Sequence, residues 1–580
     1  MKSLLICEDC GNKFIEGDEC PCVLAKLRQD FLALPPVIVE PELGTGSVLE
    51  RLLKQRGIGE DLEAFFAANI SDIEDFSLLN LQKGKERLLK ALTKKEKITI
   101  YGDYDVDGIT ATALAYNILS ALGAEVNYYI NDRFQAGFGI NTAGVEEIAK
   151  WGTQLILTVD NGIAGNSAVT RAKELGMEVI VTDHHEPNAV LPDCLIIDPK
   201  QVGCASTYKD LTGVAVVFKL MYCLCEEKNC KNLALRNMDL VAFGTVCDCG
   251  KLLGENRVFV RNGLKLINWG EKTAIGFAAM KEVNQLKKEI NAYHLGFVFG
   301  PQLNAEGRLE GSPLDGVKLL TTNDKEEALA IAQRLVGLNK KRQVLLEEQL
   351  ETVEMLVDVR KAFIIIYLAD LHEGIIGLLA GRLKERYARP VIVLTLDKDG
   401  NYKGSGRSAC GYDLKAALDK VAKLLLKYGG HAEAAGLSIS CENIMTVKNI
   451  LETDAAMRIS KEKIRKQIFL DVILSQEEID IKLAEDLQLL EPFGQGFSKP
   501  KFLLKNIVAE GIVLMSEGKH TRFKSENCDF LCFNINNVFA KKVYDVIGFP
   551  TINEWQGRRS LQFIVEELLE KNEIFAGGLI

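Results

Sequence analysis

Tyr101-Gly102-Asp103-Tyr104-Asp105-Val106-Asp107-Gly108-Ile109-Thr110 is the stretch on which the reading of this 580-residue chain turns. Three carboxylates fall within five residues, straight after the apolar run Ile98-Thr99-Ile100 and straight before a helical pattern. Like charges at this spacing repel one another unless a cation sits among them. Asp-x-Asp-x-Asp-Gly also opens an EF-hand calcium loop, which needs a preceding helix and a bidentate Glu at about its twelfth position. That position is Leu114 here, and a strand-like run precedes the loop, so the EF-hand is set aside. A strand, a carboxylate turn and a helix instead describe the edge of an α/β active site, where ligands bind beyond the carboxyl ends of strands.

Two more strand-like runs end in the same chemistry. Leu155-Ile156-Leu157-Thr158-Val159 leads into Asp160-Asn161-Gly162, and Met177 to Thr182 leads into Asp183-His184-His185. Short β-branched runs separated by helical patterns predict buried parallel strands, and Leu195-Ile196-Ile197 adds another. A single Asp after a strand is ordinarily a helix N-cap. Asp, Asp and Asp-His-His at three successive strand ends ask for more than capping. Oxygen and imidazole donors of this mix suit Mn²⁺, Mg²⁺ or Zn²⁺ in a two-metal phosphoester site.

The Asp-His-His triplet together with the preceding Asp-x-Asp resembles the DHH phosphoesterase superfamily. The form Gly102-Asp103-Tyr104-Asp105-Val106-Asp107-Gly108-Ile109-Thr110-Ala111 resembles its RecJ branch, the single-strand-specific 5′ exonucleases. The resemblance implies an α/β multidomain protein: a parallel-sheet DHH catalytic domain, a long connecting helix, a DHH-associated α/β domain and a C-terminal OB-like β-barrel. The expected divisions are a cysteine-bearing arm (1–45), a helical lead-in (46–96), the catalytic domain with its helical extension (97–323), the connecting helix (324–360), the DHH-associated domain (361–460) and the OB-like domain (461–580).

The site residues follow from the same resemblance. Asp105, Asp107, Asp160, His184 and Asp248 are the implied ligands of two divalent cations, Mn²⁺ or Mg²⁺, with Asp160 as the bridge and Asp103 as a supporting carboxylate or further ligand. Asp248 follows Gly244-Thr245-Val246-Cys247, where the family pattern has an Asp after Gly-Thr-Val-x, although its flanks depart from the usual apolar and proline-containing residues. His185 is implied at the scissile phosphate, with Asp183 orienting the histidine pair. Arg133, before the Gly137-Phe138-Gly139 turn, corresponds to an active-site loop; on its residue type alone a surface arginine fits as well. Arg308, in Gln302-Leu303-Asn304-Ala305-Glu306-Gly307-Arg308, corresponds to an arginine beside the nucleic acid. His372, Arg382, Ser405, Arg407, Ser408 and the Gly429-Gly430-His431 turn lie in glycine-rich clusters of the kind that let backbone approach phosphates. Basic and aromatic residues alternate around Arg522 and Trp555, as a barrel that stacks bases would require. Single-stranded DNA is the implied partner, delivered by a helicase or single-strand-binding protein to a monomer.

Bulk properties bound these expectations. A net charge of −10 excludes a protein that coats nucleic acid by overall electrostatics, so any contact must use local basic surface. No apolar stretch reaches the roughly 18 residues of a membrane span, and fifteen cysteines scattered through helix- and strand-like runs point to a reducing cytoplasm. Cys7, Cys10, Cys20 and Cys22 form a candidate structural zinc site with a looser spacing than zinc ribbons, the alternative being an arm with free thiols. Two other functions share the motifs: a nanoRNase or nucleotide phosphatase, and a non-catalytic single-strand-binding scaffold. The C-terminal segment weighs against the first, and the full ligand set against the second.

Overall fold

Every residue of Ile98–Gly102 and Leu155–Val159 is buried, as an all-parallel sheet covered on both faces requires. The computed structural model describes residues 4–6, 13–15, 21–42, 44–58, 65–66, 68–69, 73, 76–134, 137, 139–270, 273–460, 463–526, 528–535, 537–555 and 557–570. The chain divides into two compact units: residues 57–340 with 485–499, and residues 1–56 with 341–484 and 500–580.

The first unit is built on a five-stranded sheet in the order Val126–Ile130, Ile98–Gly102, Leu155–Val159, Glu178–Thr182, Leu195–Ile197, all parallel. Strand order reverses between Ile98–Gly102 and Leu155–Val159, which creates the crevice at which α/β proteins bind ligands. Alternate strand residues feed two cores. Ile100, Leu155, Leu157 and Ile180 join the core that contains the helices Val106–Ala121, Gly213–Glu227 and Met238–Cys247. Ile156, Val179 and Val181 join the other, with Val145 and Ile148 of the helix Thr142–Ala149 and Ala168, Val169 and Ala172 of the helix Asn166–Glu174. The helix Val106–Ala121 is apolar almost all round because it is buried almost all round.

Residues 485–499 return to this unit although the sequence reading placed them in the OB-like domain. The Leu252 amide donates to the Gln495 carbonyl at 2.8 Å, and Arg257, buried on the helix Gly254–Ile267, donates to the carbonyls of Leu490, Glu491 and Pro492. Its guanidinium also lies 4.0 Å from the Phe65 ring centroid and 5.2 Å from that of Phe497. A buried guanidinium must find acceptors for its fork of donors, and this returning loop supplies them.

The second unit holds two larger sheets. One has the order Lys427–Gly430, Ala434–Ile439, Tyr402–Arg407, Val391–Leu396, Ile364–Tyr367, with only the last pair parallel. The other is a seven-stranded mixed sheet from Val472–Leu474 through Phe502–Val508, Val543–Trp555, Arg558–Glu570, Cys528–Cys532 and His520–Ser525 to Glu510–Met515. The helix Lys325–Glu354 carries the chain from one unit into the other.

Residues 46–96 are not one lead-in: the helix Val48–Gln55 belongs with the second unit, where Arg56 pairs with Asp471 at 2.7 Å and Arg51 with Glu478. Residues 21–42, within the cysteine-bearing segment, also pack against the rest of the second unit. In the helix Pro21–Leu32, Arg28 Nη1 donates to the carbonyls of Met355 and Val357, and the Phe31 ring lies under the Arg389 guanidinium. Val37–Val39 pairs with Gln467–Phe469.

Candidate metal centre and strand-binding residues

Asp103 and Asp105 emerge directly from the strand Ile98–Gly102, and Asp107 opens the helix behind it. Asp105 is the N-cap, its Oδ1 accepting from the Asp107 and Gly108 amides at 3.0 and 3.2 Å. Asp107 is buried, and both its oxygens accept backbone amides at the start of the helix Gly213–Glu227: Gly213 N at 2.7 Å and Val214 N at 2.9 Å. The positive end of that helix helps hold the carboxylate. Asp103 Oδ1 accepts from the Gly139 amide at 3.4 Å.

Asp160 stands at the next strand end in left-handed backbone, φ +61. Asn161 follows with its side chain bonded to the Tyr101 and Val159 carbonyls and to the Ile140 amide, which ties the turn between neighbouring strands. Asp160 Oδ1 is buried and accepts no hydrogen bond from the described residues, although His184 Nε2 lies 3.2 Å away. The same Nε2 is 3.7 Å from Asp248 Oδ2 and 3.8 Å from Asp107 Oδ2. A Cβ on residue 213 would come within 2.4 Å of Asp160 Oδ1, so glycine there leaves the carboxylate its room. Three overlapping donor groups result among the described residues: Asp160, His184 and His185; Asp107, His184 and Asp248; and Asp103, Asp105 and Asp160. Asp160 and His184 each belong to two of them.

Asp183 has a different part. Its Oδ1 accepts from the His184 amide, the His185 amide and His185 Nδ1, and its Oδ2 accepts from the Ile163 amide at 2.8 Å. Fully occupied by these donors, it positions His185, whose side chain is half-exposed.

Electrostatics mark this as a place that wants positive charge. Burial, followed by the neighbouring Asp105, pushes the Asp103 and Asp107 carboxyls up to about 7. Burial and the surrounding aspartates push Asp160 and Asp248 well above the usual carboxylate range. Burial, then the neighbouring His185, pulls the His184 imidazole down to about 3, so it is neutral and able to act as a ligand. Burial also opposes charge on His185, but the hydrogen bond and charge of Asp183 outweigh it and hold that imidazole up at about 9. Hard oxygen donors plus one neutral imidazole, with a buried carboxylate oxygen left unsatisfied, fit a divalent cation of the Mn²⁺ or Mg²⁺ kind.

A thermal measurement tests that fit. Carboxyls with raised values keep protons in the folded, metal-free chain that the unfolded chain has lost, so stability falls as pH rises from 3.8 towards about 7. A cation displaces those protons. The gain in Tm on adding Mn²⁺ should therefore be larger at about pH 8 than at about pH 6. An equal or smaller gain at the higher pH would count against a carboxylate-held cation.

Arg133 and Arg308 both lie beside the carboxylates. The Arg133 guanidinium sits 4.8 Å from the Tyr104 ring centroid, Tyr104 being the residue between Asp103 and Asp105. Arg308 and Asn304 line a cavity of about 170 Å³ with Tyr104, Asp105, Asp107, Asp248 and the two cysteines that flank Asp248. Asn304 has no role in the sequence reading, although it stands one helical turn before Arg308.

The remaining expected strand contacts lie in the second unit. Ser405, Gly436 and Gly429 form one cross-strand row, and Arg407 opposes Ala434 two residues along. Arg407 Nη1 donates to Ser405 Oγ and the Gly406 carbonyl. Gly430, with φ +131, turns the chain so that His431 is exposed. His372 precedes the helix Ile376–Tyr387 and its Nδ1 accepts from the Gly374 amide, while Arg382 on that helix is exposed. Ser408 departs from expectation: it is buried and its hydroxyl donates to the Tyr412 carbonyl, so it braces the loop instead of meeting phosphate. Trp555 ends the strand Val543–Trp555 opposite Arg558, but its side chain lies outside the described residues, as do Cys7, Cys10 and Cys20. Cys22 lies in the helix Pro21–Leu32.

Family models match along the chain in the same order: the DHH family N-terminal domain over residues 97–245, the DHHA1 domain over 360–456 and the RecJ OB domain over 470–567. The single-stranded-DNA-specific exonuclease RecJ of Dickeya dadantii is 34% identical over 563 residues, covering 90% of this chain and 96% of that protein. The crystal structure of RecJ from Thermus thermophilus in complex with Mn²⁺ has a TM-score of 0.78 at 28% identity, covering 92% of this chain and 80% of that one. Its counterpart with Mg²⁺ has a TM-score of 0.72 at 27% identity, covering 92% and 78%.

Proposed function

The chain belongs to the RecJ family of DHH phosphoesterases, and from that premise we infer that it is a hydrolase that removes nucleotides from single-stranded DNA, beginning at the 5′ end. The observation that carries this reading is the gathering of Asp107, Asp160, His184 and Asp248 around one point at the switch of a parallel sheet. Asp103, Asp105, Asp107, Asp160, His184 and Asp248 would hold two divalent cations, which when bound supply a hydroxide-like water and neutralise phosphate charge. The chain's own residues do the rest. Asp160 holds both halves of the donor set together, and the helix start at Gly213 and Val214 keeps Asp107 in place. Asp183 fixes His185 through Nδ1, which leaves Nε2 to hold a proton towards a phosphate oxygen. Arg133 and Arg308 contribute fixed positive charge beside the carboxylates. Ser405, Arg407 and the Gly429–His431 turn would hold phosphates of the strand, and the domain at 470–567 would favour long strands over dinucleotides. A helicase or single-strand-binding protein delivering the strand belongs to the same proposal.

Digestion of 5′- and 3′-labelled oligonucleotides, single- and double-stranded, with Mn²⁺ or Mg²⁺ tests it. The 5′ label should be released first and from single strands only; release from the 3′ end or from duplex would overturn it. The N-terminal cysteines carry a separate expectation. If Cys7, Cys10, Cys20 and Cys22 bind zinc, the purified chain should contain about one Zn²⁺, lost when Cys7 and Cys10 are changed to Ser. Equal metal content by elemental analysis in the two proteins would sink it.

A further inference from the structure

The helical run that delivers Asn304 and Arg308 to the metal cleft begins with two large aromatic side chains that the fold leaves in solvent. Tyr293 is 62% and Phe297 72% exposed, and their rings stack on one another at 5.1 Å with an interplanar angle of 24°. Residues 294–299 form a π-helical turn that continues without a break into the helix Gly300–Leu309. Such turns mark functional positions more often than ordinary helix does. This one docks against the end of the helix that carries the metal-site aspartate. Cys247 Sγ lies 3.4 Å from the Leu295 carbonyl, and a Cβ at Gly300 would come within 2.5 Å of the same sulphur. Cys247 immediately precedes Asp248 and lines the same cavity as Arg308.

The pattern of burial shows which way the run faces. Leu295, Phe299 and Leu303 take the core side, whereas Tyr293 and Phe297 stand in solvent and Asn304 and Arg308 face the cavity. At about 100° per residue in α-helix and somewhat less in the π-helical turn, positions 293, 297, 304 and 308 share one side of the run. That side therefore passes from two exposed aromatic rings, through an amide and a guanidinium, to the carboxylates. Two adjoining exposed rings make a contiguous apolar patch, and such patches mark interaction sites where single exposed side chains do not. Continuity with the cleft supplies an occupant: an unpaired nucleic-acid strand presents flat π-faces at its bases and anionic phosphates between them.

We propose that Tyr293 and Phe297 form a base-stacking platform on which the nucleobases of the single strand rest as its phosphates pass Asn304 and Arg308 into the metal cleft. The platform rests on the reading of the chain as a single-strand exonuclease and adds a subsite for bases to a site otherwise built for phosphates. It acts by positioning, because neither ring is among the residues that line the metal cavity. Duplex, whose bases are already stacked on one another, gains nothing from it.

The test compares the full chain with a Tyr293→Ala/Phe297→Ala double variant, on a single-stranded oligonucleotide and on the same oligonucleotide carrying a block of abasic sugars behind its first nucleotide. Both side chains are exposed, so the variant should fold and should show the same Mn²⁺-dependent Tm gain as the parent. Its KM for the intact strand should rise about tenfold, with kcat nearly unchanged. The parent should lose about the same factor on the abasic strand, whereas the variant should barely distinguish the two strands. Tyr293→Phe/Phe297→Trp should restore the parental KM, which a merely structural role for the pair would not require. An unchanged KM in the Ala variant, or an equal abasic penalty in parent and variant, overturns the platform while leaving the nuclease reading intact. A parent that degrades no single strand in Mn²⁺ overturns both.

Discussion

Asp160→Asn should keep the fold and lose at least about a thousandfold in hydrolysis of single-stranded DNA, the several kcal/mol that a charge-stabilising metal site supplies to the transition state. Asn is the informative replacement because residue 160 has φ +61, a conformation that Asn and Asp tolerate and that strains Ala. The substitution then removes an anionic oxygen without disturbing the turn. That oxygen matters because Asp160 is shared by two of the three donor groups and its Oδ1 is buried with no hydrogen bond from the described residues to satisfy it. An amide in its place turns an NH₂ towards one of those groups, where a cation cannot be accepted. Turnover in Mn²⁺, Mn²⁺ titration and circular dichroism of the purified variant check the three parts separately. Near-normal turnover by a folded variant would remove Asp160 from the centre.

The strand-end aspartates were legible because buried parallel strands read as short unbroken apolar runs, and an acidic residue at the end of each is conspicuous against them. Asp107, Asp160 and His184 meet for that reason alone: three adjacent strands deliver their carboxyl ends to one crevice. What holds those side chains was not legible. The amides of Gly213 and Val214 grip Asp107 from more than a hundred residues away, and nothing in Thr212-Gly213 distinguishes that helix start from any other. Ser408 misleads for a related reason, since a hydroxyl in a glycine-rich cluster serves a neighbouring carbonyl as readily as a phosphate, and here it serves Tyr412. The return of residues 485–499 to the catalytic unit is held by the buried Arg257 guanidinium and by the Leu252 amide, which donates to the Gln495 carbonyl, and no periodicity reports either need for a partner. The helix Val48–Gln55 parts from Leu81–Lys94 because Arg51 and the adjoining Arg56 find Glu478 and Asp471, again a pairing across some four hundred residues.

Asp183→Asn should lower activity by roughly 10- to 100-fold and move the alkaline limb of the pH–rate profile to lower pH. In the parent chain Asp183 Oδ1 accepts from His185 Nδ1 at 2.7 Å and from two amides, while Oδ2 accepts from Ile163 N at 2.8 Å. An amide side chain has one oxygen to offer. If it stays with the histidine pair, its NH₂ faces the Ile163 N–H, donor against donor, at a cost of about 1–3 kcal/mol for the group left unsatisfied. The charge that holds His185 up at about 9 is lost in either orientation, so the imidazole deprotonates at lower pH. If the protonated ring meets the phosphate, activity must fail earlier on the alkaline side. The stability consequences have a defined window. His185, raised from 6.5 to about 9, contributes stability that is fully present below 6.5 and lost as pH rises through about 9. Asp183, held below its ordinary 3.8, contributes stability present above that value and lost as pH falls through the depressed one. The Tm deficit of the variant should therefore be greatest between those limits and shrink towards either extreme. A deficit independent of pH would mean that packing, not the charged pair, is what the substitution removes. An alkaline limb that does not move would separate His185 from the phosphate.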